Sequence, residues 1–229
     1  DGVNIKTSLP SPDTFVQKFK AAKEAGDEVI CILIASKLSG TYQGAMLAKQ
    51  IVDYDGIHVI DAGHAAASVA EKMLVIAACR MRDQGCTAEE IARRLEQLRG
   101  SVRLIACLDT LEYLARGGRL PAAVASIGTK LQLKPIIVFG ENGEIQVVKK
   151  CMGSKRAMRD MTEMVTECGI NPEYPVIPIF AQNDRNCQEY VASLKNAGCV
   201  GAMQAPQGIG ATIGSYIGPG GYGIVFVEK

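Results

Sequence analysis

Tryptophan is absent from this chain of 229 residues, and histidine occurs twice, at positions 58 and 64. Two imidazoles are too few for a histidine-rich metal site. Neither sign of charge is in excess: 25 Lys and Arg against 24 Asp and Glu leave a net charge of +1. A nucleic acid partner needs a concentrated basic surface, so none is expected. No apolar run reaches the roughly 18 residues of a membrane-spanning helix, and no secretory signal opens the chain. The eight cysteines stand singly, with no CxxC and no Cys/His cluster of metal-ligand spacing. Cys31 and Cys107 lie inside apolar runs and read as buried thiols. This pattern fits a reducing, cytoplasmic setting. There is no GxGxxG and no Walker A spacing, so no nucleotide site is indicated.

What is present is apolar: 48% of residues are hydrophobic, enough core for one large domain or two small ones. Phe15, Phe19 and Ala22 fall at helical spacing and Gly26 stops that helix. "EVICILIA" (28–35) reads as a short strand buried on both faces. A helix from Thr41 to about Val52, a strand "GIHVIDA" (56–62) and an apolar helix over 66–82 follow. Thr87 and Glu90 form a T-x-x-E capping box for a helix whose Ile91, Leu95 and Leu98 share a face. Glu90 and Arg94 are spaced to pair, and Gly100 ends the helix. "VRLIACL" (102–108) is a third strand. Strand–helix alternation of this kind implies a parallel sheet covered on both sides.

After that the rhythm changes. "DTLEYLARGGRL" (109–120) predicts a short helix capped by Asp109 and stopped at Gly117-Gly118. "KPIIVFGENGEIQVVKK" (134–150) is a hairpin turning at Asn142-Gly143, a dipeptide that suits a type I′ turn. Helices over 154–167 and 184–197 alternate with strands over 175–181 and 222–228. Met158, Met161 and Met164, at helical spacing, belong to the core. The fold class is α/β in two domains: residues 1–107 as a Rossmann-like parallel-sheet domain, and 108–229 as a smaller α/β domain with the hairpin.

Four stretches can carry chemistry. "SKLSGTYQG" (36–44) joins a strand to a helix. Ligands of open parallel sheets bind at the carboxyl ends of strands, and a helix N-terminus there offers free N–H groups and partial positive charge. Gly40 permits close approach, and Ser39 and Thr41 add hydroxyls, so a carboxylate or phosphate fits. Taken alone, the plainer reading is an N-cap turn, since Ser and Thr are favoured at caps. In "KTSLPSP" (6–12), Ser11 reads as a helix cap, whereas Thr7 and Ser8 lie too far upstream to cap it. "LARGGRL" places Arg116 at a helix C-terminus and leaves Arg119 able to pair with an anion. "GIGATIGSYIGPGGYG" (208–223) has the glycine of tight turns or close backbone approach, yet carries apolar Ile209, Ile213, Tyr216 and Ile217. His64 follows a strand end, but no nucleophile pattern accompanies it, and a lone loop histidine is the plainer reading. His58 reads as structural.

Taken together and in order, "KTSLPSP", "SKLSGTYQGA", "LEYLARGGRL" and "GSYIGPGGYGIVF", with "LKPIIVFGENGEI", resemble the DegV family of bacterial fatty-acid-binding proteins over essentially the whole chain. The resemblance implies two α/β domains with a long-chain fatty acid in an apolar tunnel between them and no cofactor. It also implies, for some members, presentation of the acid to a separate fatty acid kinase. Carried over, the family's head-group residues are Thr7, Ser8, Ser39, Gly40 and Thr41, with Arg119 supporting the site or facing a partner. Where the family usually has a histidine before its GPG turn, this chain has Tyr216, a donor that carries no positive charge. Family members also begin with a strand and an Asp-Ser stretch upstream of the first motif. This chain starts almost at that motif, so its first domain is expected to lack that strand region and to expose a sheet edge.

Two other classes compete with a lipid carrier. One is a dihydroxyacetone-kinase-like or phosphotransferase-like domain using His64 for covalent chemistry. The other is an interaction domain whose interior is filled. The residues alone give neither acyl length nor oligomeric state.

Overall fold

The computed structural model describes residues 5–120, 132–199 and 201–229. The chain opens with helix α1 (Pro12–Ala25). Ser11 caps it, its hydroxyl accepting from the Asp13 N–H at 3.3 Å, and proline occupies its first turn. Gly26 closes it in the left-handed conformation, φ +73°. Strands β1 (Val29–Leu33) and β2 (Ile57–Asp61) pair in parallel, Val29 opposite Ile57 and Leu33 opposite Asp61. Helix α2 (Thr41–Val52) makes the crossover and packs on α1. Phe19, Ala45, Ala48, Val52 and Ile57 form the core beneath them.

The expected burial of β1 on both faces is not met. All five of its residues are half-buried, because β1 is the outer strand of a two-stranded sheet among the described residues.

A single 3₁₀ turn (Gly63–Ala65) leads to α3 (Val69–Asp83) and α4 (Ala88–Leu98). The capping box at Thr87 forms, with the Glu90 carboxylate accepting from the Thr87 N–H at 3.0 Å. That carboxylate is thereby turned to the helix end instead of toward Arg94. Ile91 and Leu95 are buried.

Among the described residues the second sheet has seven strands: β3 (Val102–Cys107), β4 (Leu133–Phe139), β5 (Ile145–Met152), β6 (Pro175–Phe180), β7 (Ala202–Met203), β8 (Gln207–Gly208) and β9 (Tyr222–Val227). They run in the order β5-β4-β3-β9-β6-β7, with β8 also on β6. Central β9 is antiparallel to both β3 and β6, and all six of its residues are buried. Helices α6 (Ser154–Cys168) and α7 (Arg185–Asn196), which follow the short α5 (Glu112–Arg116), cover one face; Met158 and Met161 join Ile105, Tyr190 and Phe226 there. The other face packs on α3 and α4, in one cluster that runs from Ile60 of β2 through Leu74 and Leu95 to Leu104 and Val225.

The α/β class with a parallel sheet and a second, hairpin-bearing sheet therefore holds, with two corrections. β3 belongs to the second sheet and is antiparallel to its neighbours, so a division after residue 107 leaves it hydrogen-bonded across the boundary. The second sheet is also the larger. An apolar run records burial on both faces but not which strand lies beside it.

Three local readings change as well. The hairpin turns through Glu141 and Asn142 with Gly143 at φ +81°; Gly143 N–H donates to Gly140 O and Gly140 N–H to Glu144 O. That is a three-residue loop with a glycine bulge, not a type I′ turn, since Asn142 keeps negative φ. Leu111, not Asp109, precedes α5, and the Asp109 carboxylate accepts from Lys134 Nζ at 2.5 Å. Within the glycine-rich stretch, Ala211–Ile217 forms a helix, α8. Gly214 in its interior lowers helix propensity and hides the element from a reading by composition.

Candidate functional site

All seven residues singled out for a ligand lie on one cavity of about 500 Å³: Thr7, Ser8, Ser39, Gly40, Thr41, Arg119 and Tyr216. They come from four separate parts of the chain. The N-terminal arm supplies Thr7 and Ser8, the β1–α2 junction supplies Ser39 to Thr41, the segment after α5 supplies Arg119, and α8 supplies Tyr216.

The β1–α2 junction is held from behind. Asp61, last residue of β2, accepts from the Ser36 N–H at 3.1 Å and the Gly63 N–H at 3.0 Å. This places Ser39 at the start of α2, where its hydroxyl meets Thr41 Oγ1 at 2.8 Å and accepts from the Thr41 N–H at 3.3 Å. Gly40 is the N-cap of this 12-residue helix and supplies no side chain to its first-turn N–H groups, of which the one on Thr41 is met by Ser39. A methyl built at Gly40 would lie 3.3 Å from Leu9 Cδ2. The missing side chain thus lets the N-terminal arm cross the helix end, a packing role not read from the sequence.

Across the mouth, Thr7 Oγ1 and the Tyr216 hydroxyl are hydrogen-bonded. The Tyr216 ring lies against Gly117, where a Cβ would come within 2.3 Å of it. On its side stands the Arg119 guanidinium, 5.0 Å from the ring centroid. Arg119 donates to Leu38 O at 3.0 Å and to Gly117 O at 2.6 Å. Two of its donors are therefore spent on framework carbonyls, so it braces Tyr216 and the β1–α2 loop. Five neutral hydroxyls (Thr7, Ser8, Ser39, Thr41 and Tyr216), a helix end and one cation give a rim suited to a single anionic group.

Behind the rim the lining is apolar: Ile34, Leu38, Leu114, Phe139, Ile145, Ile213 and Ile217. Ala67, Phe139, Ile213 and Ile217 also line a second, wholly apolar pocket that reaches Ile137, Ile179 and Tyr222. Polar at one end and apolar beyond, the space has the character of an amphiphile's site. Phe139 and Asp61 were not singled out from sequence. An Asp at the carboxyl end of a strand is a visible signal for the latter; nothing marks the former.

His64 stands elsewhere. Its Nδ1 lies 3.1 Å from Gly100 O and 2.9 Å from Arg103 Nη1, at the rim of a different cleft. His58 Nε2 is 3.9 Å from Glu28 on the first sheet. Burial pushes the Cys107 and Cys187 thiols up to about 12, so neither is a nucleophile at neutral pH. Burial likewise raises the Glu71 carboxyl on α3 to about 7, against a smaller lowering by the Ser68 backbone. No cluster of three metal-ligating side chains occurs among the described residues, and no helix there is long and apolar enough to cross a membrane.

This geometry has relatives. A DegV domain-containing protein of Caldanaerobacter subterraneus is 35% identical over 245 residues, spanning 100% of this chain and 86% of its own. A fatty acid-binding protein of Thermotoga maritima is 31% identical over 233 residues, 98% of this chain and 78% of its own. The structure of a fatty-acid-binding DegV family protein from Thermus thermophilus superposes with a TM-score of 0.85 at 30% identity, covering 98% of this chain and 79% of that one. The DegV family model matches residues 1–229. The chain belongs to the DegV family.

Proposed function

We propose that this protein binds one long-chain fatty acid, with the carboxylate at the rim formed by Thr7, Ser8, Ser39, Gly40, Thr41 and Tyr216 and the acyl chain in the apolar space behind it. The observation that carries this reading is that a wholly apolar pocket adjoins the cavity behind that rim, with Ala67, Phe139, Ile213 and Ile217 lining both. Each methylene removed from water contributes about 0.8 kcal/mol, so the chain supplies most of the affinity and the rim supplies orientation. Arg119 supports the rim from the side. The protein acts as a carrier with no cofactor of its own, and its bound acid is presented to a separate fatty acid kinase. That last step rests on the family resemblance and on a rim that opens at the surface.

Titration with palmitate and with the alcohol of equal chain length tests the head-group assignment. The acid binds more tightly, and the margin shrinks in Ser39→Ala. Equal affinity for acid and alcohol overturns it. Formation of acyl phosphate on addition of a bacterial fatty acid kinase tests presentation. A phosphotransferase-like reading is not favoured, because His64 lines a separate cleft and its Nδ1 lies against a backbone carbonyl.

A further inference from the structure

Strand β3 is held by β9 along its whole length, from Val102 opposite Val227 to Cys107 opposite Tyr222. On its other edge it meets β4 at two positions, Ala106 opposite Ile137 and Cys107 opposite Ile136. The same register would next set Leu104 opposite Phe139, but the strands have parted there. Antiparallel alternation says which groups lose a partner. The Glu228 N–H donates to Ser101 O, so residues 101, 103, 105 and 107 turn toward β9. Val102 and Leu104 then turn their backbone toward β4. The Val102 carbonyl is taken by Arg103 Nη1 at 3.2 Å. Leu104 faces the gap.

The parting opens a cleft of about 590 Å³, with His64, Arg103, Glu144 and Gln146 at its rim and Met164 and Cys168 of α6 on its floor. Leu104 and Phe139 border this cleft and the apolar pocket alike. Phe139 also borders the head-group cavity, so one half-buried side chain stands where three spaces meet.

We propose that Phe139 sets the length of acyl chain the protein accepts, by closing the ligand space against a branch that runs through the split between β3 and β4. This inference rests on the fatty-acid reading above. Leu104 and Phe139 both stand between pocket and cleft, but only Phe139 also borders the head-group cavity, so its ring is the one whose truncation enlarges the ligand space toward the cleft.

The test is a binding profile over saturated fatty acids of even chain length from dodecanoate to docosanoate, for the wild type, Phe139→Ala and Phe139→Leu. Folding of each is checked by circular dichroism and thermal melting. A pocket discriminates against one excess methylene by roughly tenfold or more. Phe139→Ala is expected to shift the preferred length upward and improve the longest acid at least about tenfold relative to the wild-type optimum. Phe139→Leu, which keeps an apolar side chain if the alanine variant does not fold, is expected to give a smaller shift in the same direction. A wild type that binds fatty acid together with a folded variant of unchanged profile overturns this inference alone. A wild type that binds none of the acids overturns it together with the fatty-acid reading.

Discussion

Replacing Tyr216 by phenylalanine removes one hydroxyl and leaves the rest of its environment in place. The ring still lies on Gly117 and beside Arg119, 5.0 Å from the guanidinium. What disappears is the hydrogen bond to Thr7 and any bond to a ligand's carboxylate. A neutral hydrogen bond at a part-exposed site contributes about 0.5–1.5 kcal/mol to the fold, so the melting temperature should fall only slightly. A hydrogen bond to an ionised acceptor contributes about 1.5–3 kcal/mol, which is roughly 10- to 150-fold in affinity. The dissociation constant for palmitate, measured at neutral pH by displacement of a fluorescent fatty acid, should rise within that range. Binding of the methyl ester, which lacks the charge, should weaken far less. A folded Tyr216→Phe protein with wild-type affinity for the acid would refute the reasoning, as would equal losses for acid and ester. Tyr216→His adds a group that titrates near 6.5, so acid affinity should then rise as pH falls through that value.

Further outcomes follow from the structure. Gly143→Ala is expected to destabilise the protein by about 2 kcal/mol or more: φ is +81°, and the new methyl would sit 2.3 Å from Ala35 Cβ and 2.9 Å from the Gly63 carbonyl, which is backbone and cannot withdraw. Urea denaturation checks this, and an unchanged midpoint contradicts it. Glu71 has a folded-state value raised from 4.5 to about 7, so the folded chain holds its proton where the unfolded chain has lost it. Stability therefore falls as pH rises from about 4.5 to about 7, by at most roughly 3 kcal/mol from this group. Glu71→Gln should flatten that decline, and denaturation midpoints at pH 5 and pH 8 that decline as steeply as in the wild type would sink the claim. His64→Ala should leave fatty acid affinity within twofold of wild type; a large loss, in a folded variant, would revive a role for the imidazole.

The residues singled out from sequence do gather on one cavity, whereas the pairing of the sheet was less legible. Hydroxyls beside glycine and proline at strand and helix ends draw notice locally, but Ser39 to Thr41 read more plainly there as a helix cap, and only the order of motifs joins them to Thr7 and Ser8. Arg119 is marked locally as a cation beside two glycines, but that it shares a cavity with Tyr216 follows only from the order of motifs along the chain, since nothing local says that residues so far apart meet. The placement of β3 was not legible, because "VRLIACL" is equally apolar whichever strand lies beside it. Helix α8 was masked by Gly214, and the bulged turn at Gly143 by a dipeptide that serves two kinds of hairpin. Phe139 left no trace, because a phenylalanine in an apolar strand reads as core whether or not it borders a cavity. Asp61 lies in view at a strand end, but its partners, the Ser36 and Gly63 N–H groups, are brought to it only by the fold.

The account stands most directly on whether the protein holds a fatty acid. Native mass spectrometry of protein purified without added lipid, followed by denaturing extraction, measures this. A co-purified mass that is released on denaturation and matches a long-chain fatty acid is the predicted result, and it would identify chain length as well. A bare protein that also fails to take up added palmitate would contradict the central claim.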